Sequence, residues 1–258
     1  MSAAYLDALF SLTGRRALVT GGSSGIGRAI AEALGRAGAE VVLMARREGP
    51  LRAAAGELRA AGCAVGWVAA DLGDRDALRE GAAEAVRRFG EPDILVHAAG
   101  VNPRPPMGEL STADWDRTMA VNLDAAFLLG QRFGPGMADR GWGRILHIAS
   151  QQSVRAFGNS GAYGVSKAGL AALTRSQAEA WSRHGVSVNA LAPGFVHTPL
   201  NEAVFADPVR AAAMAGRTMA QRNGEPADFA GAAVFLAGPG AAYVTGQTVF
   251  VDGGFSVT

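Results

Sequence analysis

The sequence predicts a doubly wound α/β fold: one parallel sheet with helices on both faces, three layers α/β/α in all. Three observations predict it. Short apolar runs alternate with longer Ala-, Leu- and Arg-rich stretches, which reads as strand, helix, strand throughout. The runs are apolar on both faces, as strands covered on both sides by crossover helices require. A glycine-rich turn at 21–27 stands directly between the first run and the first stretch.

Taken in order, strands are expected at 17–20, 41–44, 65–70, 94–98, 145–149, 186–191 and 248–251. The stretches between them, 27–37, 51–60, 75–89, 115–137, 162–183 and 227–236, have helical composition and apolar spacing and are read as the crossovers. Right-handed crossovers between parallel strands then give the doubly wound sheet. The segment 198–226, with Pro199, Pro208, Gly216 and Gly224 around a Met- and Ala-rich stretch, is the least regular part. It lies between the last two strands, where a loop covers the carboxyl edge of the sheet. It is read as a lid, with an ordinary surface excursion as the alternative. No linker and no repeat of fixed period divides the chain, so 1–258 is expected to be one domain.

Charge and cysteine content exclude several classes of function. Lys and Arg number 24 against 23 Asp and Glu, a net charge of +1, and the charges are scattered. Nothing polybasic is offered to nucleic acid or to an anionic membrane, so neither is expected as a partner. Cys63 is the one cysteine, which excludes an internal disulfide. The opening residues lack a charged start before an apolar core, and no apolar run is long enough to span a bilayer; a cytoplasmic protein is expected. Of the 24 basic residues only Lys167 is a lysine. Arg cannot replace Lys where a compact ammonium with a tunable pKa is required, so the count singles out Lys167; a compositional bias that one lysine escaped is the alternative.

Thr20-Gly21-Gly22-Ser23-Ser24-Gly25-Ile26-Gly27 ends the first strand and opens the first crossover. Such a turn lets backbone approach a pyrophosphate, whose charge is stabilised by free N–H groups at the helix N-terminus. The turn therefore points to a dinucleotide. At the end of the second strand an acidic residue would hydrogen-bond the adenosine ribose 2′-hydroxyl, but Arg46 and Arg47 stand there instead. Arg46, helped by Arg47, can pair with a 2′-phosphate, which favours NADP over NAD; two solvated arginines are the alternative. Further on, Tyr163 and Lys167 are one helical turn apart and share a face. An ammonium beside a phenol stabilises the phenolate and lowers its pKa from about 10, making a proton donor and acceptor.

These residues, together with Asp71 ending the third strand, Asn122 in Val121-Asn122-Leu123, Ser150 thirteen positions before the tyrosine, and Pro193-Gly194, carry a resemblance. Over essentially its whole length the sequence resembles the short-chain dehydrogenase/reductase family in its compact single-domain form, a Rossmann fold. The resemblance implies that Tyr163 is the acid/base, that Ser150 hydrogen-bonds the substrate oxygen, and that Lys167 binds the nicotinamide ribose and lowers the tyrosine pKa. It implies that Asn122 holds a water in a proton relay, that Asp71 contacts adenine and that Thr198 contacts the nicotinamide carboxamide. The implied cofactor residues are Gly21, Ser23, Ser24, Gly25, Ile26 and Gly27 of the turn; Arg46, Arg47, Asp71 and Leu72; Ala98 and Gly100; Tyr163 and Lys167; and Pro193, Gly194, Val196 and Thr198. One departure concerns the family's Asn-Asn-Ala-Gly, which is His97-Ala98-Ala99-Gly100 here. A buried, hydrogen-bonded histidine is the expected reading of His97, and His147 and His184 are read the same way. No Cys or His cluster has ligand spacing, so no catalytic metal is expected.

The expected reaction is reversible hydride transfer between nicotinamide and a secondary alcohol carbon, with the proton passing through Tyr163. Arg104, Gln151, Gln152, Arg155 and Asn159 are expected near the reaction centre and suggest a hydroxylated or anionic substrate. Arg104 can grip a carboxylate and Gln152 can read a hydroxyl. The segments 101–104, 152–157 and 180–184 are similar to the branch of gluconate 5-dehydrogenases, which implies a sugar acid or polyol. Two other readings stay open. A 3-oxoacyl carrier-protein reductase would need a basic docking patch, which the sequence does not clearly show; a non-catalytic dinucleotide sensor or scaffold would be expected to have lost Tyr163 or Lys167. The resemblance also implies a homotetramer built through two long helices and the C-terminal strand.

Overall fold

Consecutive apolar residues on a strand point to opposite faces, and here each face finds its own helices. The computed structural model describes residues 2–258. Its strands are β1 (Arg16–Thr20), β2 (Glu40–Ala45), β3 (Val65–Ala69), β4 (Ile94–His97), β5 (Gly143–Ile148), β6 (Val186–Pro193) and β7 (Thr248–Val251). They form one parallel sheet in the order β3-β2-β1-β4-β5-β6-β7, so the expected doubly wound sheet is what forms. Its helices are α1 (Ala3–Phe10), α2 (Gly25–Arg36), α3 (Glu48–Ala60), α4 (Arg75–Phe89), α5 (Thr112–Met119), α6 (Ala125–Asp139), α7 (Gly161–Trp181), α8 (Glu202–Phe205), α9 (Pro208–Gly216) and α10 (Ala230–Ala237). Val19, Leu43 and Val96 pack on one side against Ile30 and Leu34 of α2, Leu58 of α3 and Leu236 of α10. Their neighbours Leu18, Met44 and Leu95 pack on the other side against Leu78 of α4 and Leu129 and Phe133 of α6. Among the described residues no helix is long and apolar enough to cross a membrane.

The structure departs from the sequence reading in three places. The helix expected at 115–137 is α5 and α6 joined by a π-helical turn, Ala120–Asp124, in which the Ala125 N–H reaches back to the Ala120 carbonyl. Such wider turns are rare and concentrate at functional sites, and this one carries the buried Asn122. α1 was not expected, because none of its residues is buried and so no apolar face marks it. The segment 198–226 is more regular than its composition suggests. It holds α8 and α9, the latter started by Pro208 and capped by the Asp207 carboxylate on the Val209 and Arg210 N–H groups.

β1 and β4 are neighbours, and from them the chain winds outward in opposite directions. At that reversal the strand ends part and leave a crevice at the carboxyl edge of the sheet. The Thr20 hydroxyl bridges it: its oxygen accepts from the Ala98 and Ala99 N–H groups, each at 3.2 Å, and lies 3.1 Å from His97 Nδ1. Both lone pairs being taken, the hydroxyl donates to Nδ1, and the neutral His97 ring carries its proton on Nε2. Nε2 faces the Val121 and Asn122 backbone without closing a hydrogen bond of ordinary length. His147, its register partner on β5, pairs through Nε2 with Gln177 Oε1 at 2.9 Å. Thus each buried histidine is satisfied at one nitrogen, half of what the sequence suggested, while His184 is exposed.

Burial, with the nearby charges of His147 and Lys167, holds His97 well below the usual imidazole range. Burial likewise pulls His147 down to about 4. Unfolded, these rings take protons near pH 6.5; folded, they do not. The unfolded chain therefore binds more protons between pH 6.5 and 4, and stability falls as pH drops through that window. Melting curves across it should fall more steeply for the wild type than for His147→Gln, and equal slopes would remove the histidine from the account.

Candidate active site

The turn after β1 is shaped by what a side chain would strike. A Cβ on Gly21, whose φ is +66°, would lie 2.7 Å from the Ala99 nitrogen; one on Gly27 would lie 2.5 Å from the Gly21 carbonyl oxygen. Gly25, at φ +54°, has Thr198 Cγ2 at 3.2 Å from where its Cβ would be. Glycine lets the loop after β4, the turn and the Thr198 side chain meet at this close range. α2 begins there with Ser24 extended, no side-chain cap and no acidic residue in its first turn. Its N–H groups are left to an anion, and the helix dipole favours one. Gly21, Ser23, Ser24, Gly25, Ile26 and Gly27 line this end of the crevice; Ala98, Gly100, Pro193, Gly194, Val196 and Thr198 continue it towards Ser150, Tyr163 and Lys167.

Lys167 and Tyr163 both project from α7 beneath the crevice. The Lys167 ammonium, 3% exposed, donates to the Ile148 carbonyl at 2.6 Å and stands 5.6 Å from the centre of the Tyr163 ring. With no carboxylate partner among the described residues, burial pulls it down to about 8. Tyr163 departs from expectation. Burial raises its phenol above the ordinary value, and the groups that oppose this are the Ser150 hydroxyl and the Arg104 guanidinium, not Lys167. Ser150 is held in extended backbone at the end of β5, and its hydroxyl oxygen accepts from the Gln152 N–H at 3.1 Å.

Three further residues take places the sequence could not give. Asn122 is fully buried: its Nδ2 donates to the Val101 carbonyl and to Ser166 Oγ, both at 3.0 Å, and its Oδ1 accepts from the Val101 N–H at 2.8 Å. Its side chain is spent on the loop after β4 and on α7. Gln152 turns away from the crevice into an adjoining groove with Arg155 and Asn159, its Oε1 taken by Ser160 Oγ; it is not brought to the reaction centre. Arg104 is half-buried near Tyr163 and donates to Asn201 Oδ1 at 3.3 Å; it makes no ion pair among the described residues. Burial lowers its pKa, as does Arg210, while Tyr163 acts the other way.

At the far end, Asp71, Leu72, Arg46 and Arg47 stand beyond the crevice proper. Burial pushes the Asp71 carboxyl up, but the Gly73 N–H, the Arg117 guanidinium at 2.9 Å and the field of Arg46 outweigh it and hold the group below its usual range. Arg46 and Arg47 are exposed and make no ion pair among the described residues. Sequence reasoning missed Arg117, Ser166, Ile148 and Asn201; each acts from 19 to 97 positions away in the chain, and no local pattern marks it.

A turn built for a pyrophosphate, running into a buried Ser, Tyr and Lys at the carboxyl edge of a parallel sheet, defines a dinucleotide-dependent oxidoreductase. Comparison with known proteins agrees. A family model described as enoyl-(acyl carrier protein) reductase matches residues 21–256. Gluconate 5-dehydrogenase of Gluconobacter oxydans is 41% identical over 250 residues, covering 97% of this chain and 98% of that protein. The structure of a gluconate 5-dehydrogenase from Burkholderia cenocepacia in complex with NADP and tartrate superposes with a TM-score of 0.93, at 37% identity, over 98% of this chain and 99% of that one. The structure of a 3-oxoacyl (acyl-carrier-protein) reductase from Agrobacterium tumefaciens with NADP bound has a TM-score of 0.92 at 35% identity, over 96% of this chain and 97% of that one. The chain belongs to the short-chain dehydrogenase/reductase family and is an NAD(P)-dependent enzyme acting on alcohol and ketone groups.

Adding one methyl at Gly27 should cost about 1–3 kcal/mol of stability and weaken dinucleotide binding, because it would strike the Gly21 carbonyl and the Ala98 Cβ, neither of which can swing aside. Denaturant unfolding and fluorescence titration of Gly27→Ala would show it. Gly49→Ala, where a Cβ meets nothing within 4 Å, should leave both unchanged.

Proposed function

We propose that the protein oxidises a secondary alcohol of a sugar acid, using NADP, in the manner of a gluconate 5-dehydrogenase. The observation that carries this reading is Arg104: a half-buried guanidinium beside the Tyr163 phenol with no carboxylate among the described residues to neutralise it. A substrate carboxylate would complete it through two parallel hydrogen bonds and so bring the neighbouring carbinol to Tyr163. A bound nicotinamide takes or gives the hydride. The chain's own groups handle the proton: Tyr163 accepts it from the substrate hydroxyl, Ser150 orients that oxygen and with the Arg104 guanidinium favours the phenolate that forms, and Lys167 is placed to hold the nicotinamide ribose.

Arg46 and Arg47 support NADP, since two unpaired guanidinium groups at the end of β2 suit a 2′-phosphate and no acid stands there for a free ribose hydroxyl. The reading takes 1–258 as one catalytic unit with 198–226 as its lid. Asn201 of that segment already reaches Arg104, which supports closure onto the substrate. Exposed Trp115, Phe127 and Val165 on α5, α6 and α7 support assembly into a homotetramer. The second reading, a 3-oxoacyl carrier-protein reductase, rests on the likeness to the Agrobacterium structure and makes no use of Arg104.

Initial rates with NADP and NAD against gluconate, other aldonates, neutral polyols and, in reverse, a keto-acyl thioester separate the readings. Tyr163→Phe should lose roughly 100-fold or more in kcat while dinucleotide affinity stays near that of the wild type. Arg104→Ala should raise KM for an aldonate and leave KM for the matching neutral polyol unchanged. An equal rise for both would remove the carboxylate clamp, and turnover of the thioester alone would move the enzyme to fatty-acyl reduction. Arg46→Ala should weaken NADP and spare NAD.

A further inference from the structure

A second charged cavity lies at the opposite end of the sheet, where β5 and β6 begin. Arg144 and Ser187 are register partners on these strands, so their side chains stand side by side on one face. Arg144 is 4% exposed and Ser187 5%. The guanidinium spends Nε on the Gly238 carbonyl at 3.4 Å and Nη1 on the carbonyls of Gly143 at 2.8 Å and Gly185 at 3.4 Å. Its Nη2 has no protein acceptor among the described residues, and neither has the Ser187 hydroxyl. Both side chains line a cavity of about 600 Å³, completed by Trp142, Ser182, Tyr243 and Thr245.

The charge here is doubled. The Arg15 guanidinium lies 3.7 Å from the centre of the Trp142 ring and that of Arg144 lies 4.5 Å from it. Neither arginine forms an ion pair among the described residues. A buried cation without a counter-charge is costly, and a second one nearby adds repulsion; burial and Arg15 together pull Arg144 down to about 10. Backbone carbonyls and an aromatic face relieve part of this cost, but they supply no negative charge.

We infer that this cavity is a binding site for a phosphate group, free or carried on a small organic ester. Arg144 supplies the charge that lines it, and Arg15, stacked on the same Trp142 ring, adds to the field. The free Nη2 edge of Arg144 and the Ser187 hydroxyl supply donors from one wall, and the Ser182–Thr245 hydroxyl pair, 2.7 Å apart and sharing one of its two protons internally, keeps one to donate from another, a set that suits a tetrahedral oxyanion better than a planar carboxylate. The cavity is larger than one phosphate, which leaves room for an ester's carbon chain between Trp142 and Tyr243. Lying at the amino ends of the strands, it shares no lining residue with the dinucleotide crevice.

The test keeps the crevice filled with saturating NADP, so that its own anion site is closed, and titrates inorganic phosphate or glycerol phosphate against sodium chloride at matched ionic strength. Calorimetry should find one saturable site per chain, and Tm should rise by about 5 °C or more at ~100 times Kd. Arg144→Met should weaken phosphate roughly 10-fold or more with NADP affinity unchanged. Should that variant fail to fold, Arg15→Met, which removes a charge but no hydrogen bond, should still weaken it several-fold. Tighter binding of the ester would identify an organic phosphate as occupant, and equal binding would identify the free ion; both support the site. No saturable binding, or binding that survives Arg15→Met together with a folded Arg144→Met, would overturn it.

Discussion

The hydroxyl of Thr20 makes three hydrogen bonds at the point where the winding of the sheet reverses, and the geometry of the crevice depends on them. Two of them draw the loop after β4 against the turn after β1, until a methyl group no longer fits at Gly21. The third fixes the tautomer of His97 and aims its remaining N–H at the backbone of the π-helical turn. In that turn Asn122 spends every polar atom of its side chain on Val101 and Ser166. The hydroxyl and the imidazole thus support the junction of β1 and β4, and the amide ties the loop after β4 to α7, the two facing each other across a gap that the His97 N–H spans without a hydrogen bond. Because each member is buried, an error in any one would leave a polar group without water to replace its partner.

The same support explains why a sequence that departs from the usual motif keeps its site. His97 stands where the family has an asparagine. An asparagine offers one acceptor and two donor hydrogens from a short arm, whereas the neutral imidazole offers one acceptor and one donor on opposite sides of a ring. His97 uses the acceptor on Thr20 and directs the donor across the gap, so the connection from strand to π turn is kept in direction though not at full strength.

The sheet was legible because its strands are apolar on both faces and separated by recognisable crossovers, and the turn because only glycine answers the close approaches at 21, 25 and 27. Tyr163 and Lys167 were legible from a four-residue spacing that a helix converts into neighbourhood. What stayed hidden is tertiary. The spacing of Tyr163 and Lys167 promised a depressed phenol, but burial acts on both groups, raising the first and lowering the second, and sequence spacing does not report burial. Gln152 follows Ser150 by two positions, yet the short turn between them points it into a different groove. Arg117 and Ser166 matter only because the fold brings them to Asp71 and Asn122.

Lys167 is the sole lysine of the chain, it is almost wholly buried, and it lines the crevice. The side-chain amine chemistry of the whole molecule is therefore that of one atom in the active site. Acylating, alkylating or carbonyl reagents that mark dozens of positions on an ordinary enzyme have a single lysine target here. Its ammonium, lowered to about 8, sheds its proton under mildly alkaline conditions where a surface lysine would not. Labelling stoichiometry on this protein becomes a direct report of how often the crevice stands open.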